Sequence, residues 1–167
     1  MAPLFEKKRD RFSVRLGKRE RELLVELCRQ SRALLETEDP SSDPAVARLF
    51  PAAYQDDPLR NLEYETSLGG APRTGKLEAL DTVMRTARAR ELSEEEFLTW
   101  MGVVNDLRLV LGTRIEVTEE STEEDFPAGA PLDAFHVYQF LGWLQQEMLF
   151  ALGEPDAGGL HESVEGD

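Results

Sequence analysis

Cysteine and histidine are scarce in this chain of 167 residues: there is one cysteine, Cys28, and the two histidines are His136 and His161. A single thiol closes no bridge within the chain, which removes any disulfide framework and suits a reducing cytoplasm. Long apolar runs are missing too. None approaches the roughly 18 residues that a spanning helix requires, so no membrane contact is expected. The opening Met1-Ala2-Pro3-Leu4-Phe5-Glu6-Lys7-Lys8-Arg9 lacks an apolar core followed by small residues and does not read as a signal peptide. The expectation is a cytoplasmic chain of about one domain. A hydrophobic share of 41% is enough to build a core without a structural metal.

Positive charge is scarce beyond the N-terminal segment. Residues 1–32 hold ten bases (Lys7, Lys8, Arg9, Arg11, Arg15, Lys18, Arg19, Arg21, Arg29, Arg32) against five acids (Glu6, Asp10, Glu20, Glu22, Glu26), while the whole chain carries −14. A strongly acidic body repels a polyanion, because phosphate contacts supply most non-specific nucleic-acid affinity. Whether any nucleic acid is bound stays open. If one is, Arg9, Arg11 and Arg15 form the contact segment. Otherwise the basic segment pairs with the acidic remainder of its own chain or of neighbouring copies.

Hydrophobic periodicity gives the fold class. Phe12, Val14 and Leu16 alternate with polar residues, the period-two signature of a strand, and Leu4-Phe5-Glu6 lies one polar turn upstream. A small β-hairpin over about 4–16 is predicted, resting on helices, since two strands alone are only marginally stable. From Lys18 to about Glu36, Leu24, Leu27, Cys28, Ser31, Leu34 and Leu35 recur at three- and four-residue steps, the stripe of an amphipathic helix. Pro40, Pro44, Pro51 and Pro58 punctuate a connection with short turns, one of them a helical turn started by Asp43-Pro44. A short helix from Pro58 to about Leu68 and another from near Thr74 follow.

Ser93-Glu94-Glu95-Glu96 is a capping box, the clearest helix start in the chain. Phe97, Trp100, Met101, Val104, Leu107 and Leu111 continue it, and Gly112 reads as its end. After an acidic loop at 118–125, a last helix over about 132–152 is apolar nearly all round, which places it at the centre or in an interface. Gly142 within it costs roughly 1 kcal/mol of helix propensity unless another backbone packs there. Trp100, Tyr138 and Trp143 read as core. The prediction is a mainly α protein: a compact helical bundle with a small N-terminal hairpin as one domain over 1–153, then an acidic, disordered tail over 154–167.

No catalytic constellation emerges. Asp133 and His136 stand three apart on one helix, but no third ligand has suitable spacing, so they read as a first-turn acid and an amphipathic side chain. Gly70-Ala71-Pro72-Arg73-Thr74-Gly75-Lys76 has phosphate-loop spacing. Yet Leu77 replaces the magnesium-binding hydroxyl, Pro72 removes a cradling N–H, and no buried strand precedes it. Cys28 lies on the apolar side of its helix with no histidine near in sequence. It is either a buried, inert thiol or a partly exposed redox thiol whose pKa Lys18, Arg21, Arg29 and Arg32 would lower. Asn105, Asp106 and Arg108, with Arg114 further on, form a polar cluster at the edge of an apolar stretch. Such a cluster is either a strut between helices and a loop or a partner-recognition spot.

The segment Asn105-Asp106-Leu107-Arg108-Leu109-Val110-Leu111-Gly112-Thr113-Arg114 resembles a family of small actinobacterial proteins, as do Ala47-Arg48-Leu49-Phe50-Pro51-Ala52-Ala53-Tyr54 and Leu141-Gly142-Trp143-Leu144-Gln145. The family is catalogued as a domain of unknown function or as the actinomycete oxidative-stress-regulator type, and the resemblance spans about 5–152. It implies a mostly helical cytoplasmic protein whose gene often stands beside that of the Clp protease adaptor. Some relatives are described as redox-responsive transcriptional regulators acting through a cysteine pair. A partner five intervening residues from Cys28 would stand at position 22 or 34, which are Glu22 and Leu34. An intramolecular thiol switch is therefore impossible, leaving only an intermolecular bridge or a mixed disulfide.

The leading expectation is a non-catalytic regulatory or protein-interaction chain, associated with stress and transcription, without a cofactor. Its partner is an unidentified protein, and a homodimer through the last helix would explain that helix's missing polar face. The alternatives are a DNA-binding regulator using the basic segment, or an enzyme with a carboxylate-lined pocket.

Overall fold

The computed structural model describes residues 2–36, 43–47, 49 and 71–153. Strands β1 (Phe5–Lys8) and β2 (Arg11–Val14) pair antiparallel, with Phe5 opposite Val14 and Lys8 opposite Arg11. Arg9 turns the hairpin with φ at +62°. Positive φ matches the twist of a tight hairpin, and a non-glycine residue bears a steric cost of about 1–2 kcal/mol for it. A third strand, β3 (Glu91–Ser93), extends the sheet on the other edge of β2, with Phe12 opposite Leu92. Periodicity does not predict this strand: three residues are too few to show alternation, and Ser93 doubles as a helix cap.

The helices are α1 (Lys18–Leu35), a short turn α2 (Pro44–Ala47), α3 (Ala71–Thr86), α4 (Glu94–Arg114) and α5 (Ala130–Ala151). They pack in sequence, α1 on α3, α3 on α4 and α4 on α5, while α2 rests on α4 and α5 reaches β1. The protein is mainly α, compact, with a small antiparallel sheet laid against the helices. The inner face of that sheet is aromatic. Phe12 stacks on Phe97 with ring centroids 3.8 Å apart, and Phe5 meets Phe97 and Trp100 edge-on at 5.6 and 6.4 Å. This satisfies the requirement that the hairpin lie on helices.

Local chemistry accounts for most element starts. Ser93 Oγ accepts from the Glu96 backbone N–H at 3.1 Å and Glu96 Oε1 accepts from the Ser93 N–H at 2.8 Å, completing the expected capping box. Asp43 Oδ1 accepts from the Ala45 N–H at 2.9 Å and so caps α2. Other boundaries differ from expectation. Helix α3 begins at Ala71 rather than near Thr74, so Arg73-Thr74-Gly75-Lys76 is helical and presents no phosphate-cradling loop. Helix α4 runs through Gly112 to Arg114. Gly112 is there for space, not as a cap: a Cβ on it would stand 2.8 Å from Tyr138 Cε1 and 3.1 Å from Val117 Cγ1. The group facing Gly142 is the Arg108 side chain rather than a backbone, with Nε 3.3 Å from where a Cβ would be. The helix expected over Pro58–Leu68 and the tail over 154–167 lie outside the described residues.

Candidate interaction surfaces

The polar residues of α4 do not converge. Gln145 Nε2 donates to Asn105 Oδ1 at 3.0 Å, tying α4 to α5. Lys76 Nζ lies 3.0 Å from Asp106 Oδ2, tying α4 to α3. Burial raises the Asp106 pKa above the usual carboxylate value, while the hydrogen bond and charge of Lys76 pull the other way. The Arg108 guanidinium lies over the Tyr138 ring at 4.7 Å, its Nε buried with no hydrogen-bond partner among the described residues. Arg114 pairs with Asp43 beside α2. Asn105 and Arg108, three apart, share the face that meets α5, while Asp106 and Arg114 turn away from it toward α3 and α2. The arrangement is a set of struts.

Cys28 is wholly buried in the core beside Leu24 and Leu35. Desolvation pushes its thiol up to about 12, so it is protonated and non-nucleophilic near neutral pH. The nearby bases do not lower it, because several are engaged elsewhere: Arg29 pairs with Glu26 and Arg32 with Asp81 and Glu36. Arg21 donates to the carbonyl oxygens of Val14, Leu16, Ala87 and Ala89. Sequence reasoning misses this role of Arg21, and no signal marks it, because all four acceptors are backbone atoms.

Of the basic contact candidates, Arg11 bonds Glu91 at 3.1 Å and Arg15 bonds Glu6 at 3.4 Å, with Arg9 at the hairpin turn. Lys7 adds a pair with Glu94. Two of the three arginines are thus matched by glutamates on the sheet, while Lys8 and Arg9 make no ion pair among the described residues. On the opposite side, His136 Nε2 lies 3.3 Å from Glu123 Oε1. Among the described residues no group of three or more His, Cys, Asp or Glu is placed to hold a metal. No helix among them is long and apolar enough to cross a membrane.

Helix α5 sends Phe135, Leu141, Leu144 and Met148 into the core. Trp143, expected to be buried, is instead 47% exposed, and Phe150 is 67% exposed. The Phe140 and Trp143 rings lie 6.0 Å apart. Trp143 and Phe150, seven residues apart, share one outward face, and Phe140, three residues before Trp143, is partly buried against the core. The helix therefore fills the core with one face and presents the other to solvent, where Trp143 and Phe150 alternate with Asp133, His136, Gln139 and Gln146. Trp100 behaves as expected: it is buried, with Nε1 donating to Thr86 Oγ1 at 2.8 Å.

The model for Domain of unknown function (DUF2017) matches residues 1–152, and the chain belongs to that family, as its sequence motifs suggested. The chain is 35% identical over 129 residues to the oxidative stress regulator AosR of Mycobacterium bovis, covering 66% of this chain and 58% of that protein. The AosR of Mycobacterium tuberculosis matches with the same identity and coverage. The chain thus spans 58% of the length of these relatives. No solved structure matches it.

Proposed function

We propose that this chain is a non-catalytic regulatory protein that works by binding proteins, and that its first partner is a second copy of itself docked along the outer face of α5. The observation carrying this reading is the pair of exposed aromatics Trp143 and Phe150, with Phe140 partly buried beside them, on a helix whose other face already fills the core. Two copies of such a face, related by a two-fold axis, bury each other's aromatic rings in a self-complementary contact. Each large aromatic side chain removed from water contributes on the order of 1.5–3 kcal/mol. The names of the mycobacterial relatives support a role in oxidative-stress regulation. Burial of Cys28 argues that any response to oxidant in this chain does not start at its own thiol. The nucleic-acid reading receives less support, since Arg11 and Arg15 face glutamates.

Light scattering over a hundredfold range of concentration tests the proposal. The expected result is a molar mass that rises from monomer to dimer, and a monomer at all concentrations for Trp143→Glu combined with Phe150→Glu. A wild-type chain that is monomeric throughout contradicts the self-association.

A further inference from the structure

Lys18, Arg21 and Arg29 stand along one stripe of α1 and, with Arg88 just past the end of α3, border an open groove of about 700 Å³. Their charges are not equally matched. Arg29 pairs with Glu26, but among the described residues Lys18, Arg88 and the neighbouring Arg90 have no ion pair. Arg21 spends its hydrogen bonds on neutral carbonyls. Burial, and then repulsion from Arg90, lower the Arg21 pKa below its ordinary value. The Glu116–Asp125 loop follows the far end of α4, about 30 Å of helix away from the sheet, so the acids at hand are Glu22 and Glu26, which line the groove with the four bases.

We propose that the Lys18–Arg88 end of this groove binds a short acidic segment of a partner protein in extended form. The stripe from Lys18 to Arg29 is about 16 Å long at helical rise, the span of about five extended residues. Val25 and Ala87 give the middle of the groove an apolar floor. Glu22 and Glu26 also line it and would repel an unbroken row of phosphates, whereas a peptide places carboxylates at one end only. The proposal rests on the reading of the chain as an interaction protein, but it uses a different face from the α5 stripe. A failure here and a failure of self-association are therefore read separately.

The test is fluorescence anisotropy of the full chain with a fluorescein-labelled peptide of three glutamates followed by three leucines, and with its reverse sequence. One orientation is expected to bind, to weaken severalfold between 50 and 200 mM salt, and to weaken about tenfold or more in Lys18→Gln combined with Arg88→Gln. Neither side chain makes a described ion pair, and unchanged circular dichroism confirms that the variant folds. Trp143→Glu is expected to bind the peptide like the wild type. No binding by either peptide, equal binding by the double variant, or tighter binding of a mixed-sequence DNA duplex at the same salt overturns the proposal.

Discussion

Trp100 Nε1 donates to Thr86 Oγ1 at 2.8 Å, and both residues are buried where α3 meets α4. The same hydroxyl donates to the Thr82 carbonyl at 2.7 Å, so the indole N–H, the hydroxyl and the backbone form a short chain of satisfied groups. Thr86→Val keeps the shape and removes the acceptor, leaving the indole N–H unpaired in the core. The expected loss is about 1–3 kcal/mol of unfolding free energy by urea titration. Thr86→Ser, which keeps the hydroxyl, is expected to lose less. A loss for Thr86→Val no larger than that for Thr86→Ser would contradict the weight given to the hydrogen bond.

Cys28 makes the second prediction. Its pKa is raised in the folded chain to about 12, from an ordinary 9.0 that the unfolded chain keeps. A raised thiol pKa means that the folded state holds its proton where the unfolded state has lost it. This contribution to stability is constant below about pH 9 and falls as pH rises from there toward 12. In Cys28→Ser the corresponding alkaline slope is expected to disappear. At neutral pH the native thiol is expected to be silent to a thiol reagent such as Ellman's and to react fully once urea unfolds the chain. Rapid modification of the native protein would contradict the inert reading.

Three helical glycines differ in what surrounds them, and alanine at each gives a third prediction. Gly102 has nothing within 4 Å of the place a methyl group would take, so Gly102→Ala is expected to stabilise α4 by about 0.5–1 kcal/mol. Gly112→Ala is expected to destabilise despite the same gain in helix propensity, because its methyl would collide with the Tyr138 ring. Gly142→Ala falls between, since the flexible Arg108 side chain is able to shift. Melting temperatures rank the three, and a stabilised Gly112→Ala would refute the packing role of Tyr138.

Much of the fold is legible in the sequence because its signals are local. The alternation of Phe12 and Val14, the α1 stripe through Leu24 and Cys28, and the Ser93 capping box each depend on spacing within a few residues. What is illegible depends on distant partners. Strand β3 exists because Leu92 sits opposite Phe12. Arg21 matters because carbonyls from the α3–β3 connection meet it, and backbone acceptors leave no mark on composition. Gly112 resembles a helix end because the ring that needs its missing side chain lies on another helix. The polar residues Asn105, Asp106, Arg108 and Arg114 stand out by their oddity on an apolar helix, but only geometry separates struts from a site. Trp143 reads as core because a mostly apolar helix does not announce which of its faces is covered.

The outward face of α5 as a self-association surface is tested most directly by iodide quenching of tryptophan fluorescence across protein concentrations. The chain has two tryptophans, Trp100 sealed in the core and Trp143 at 47% exposure, so the quenchable signal reports on Trp143. The account predicts that the quenchable fraction is large at nanomolar protein and falls as concentration rises and the stripes cover each other. A quenchable fraction that stays the same from nanomolar to high micromolar protein would contradict it.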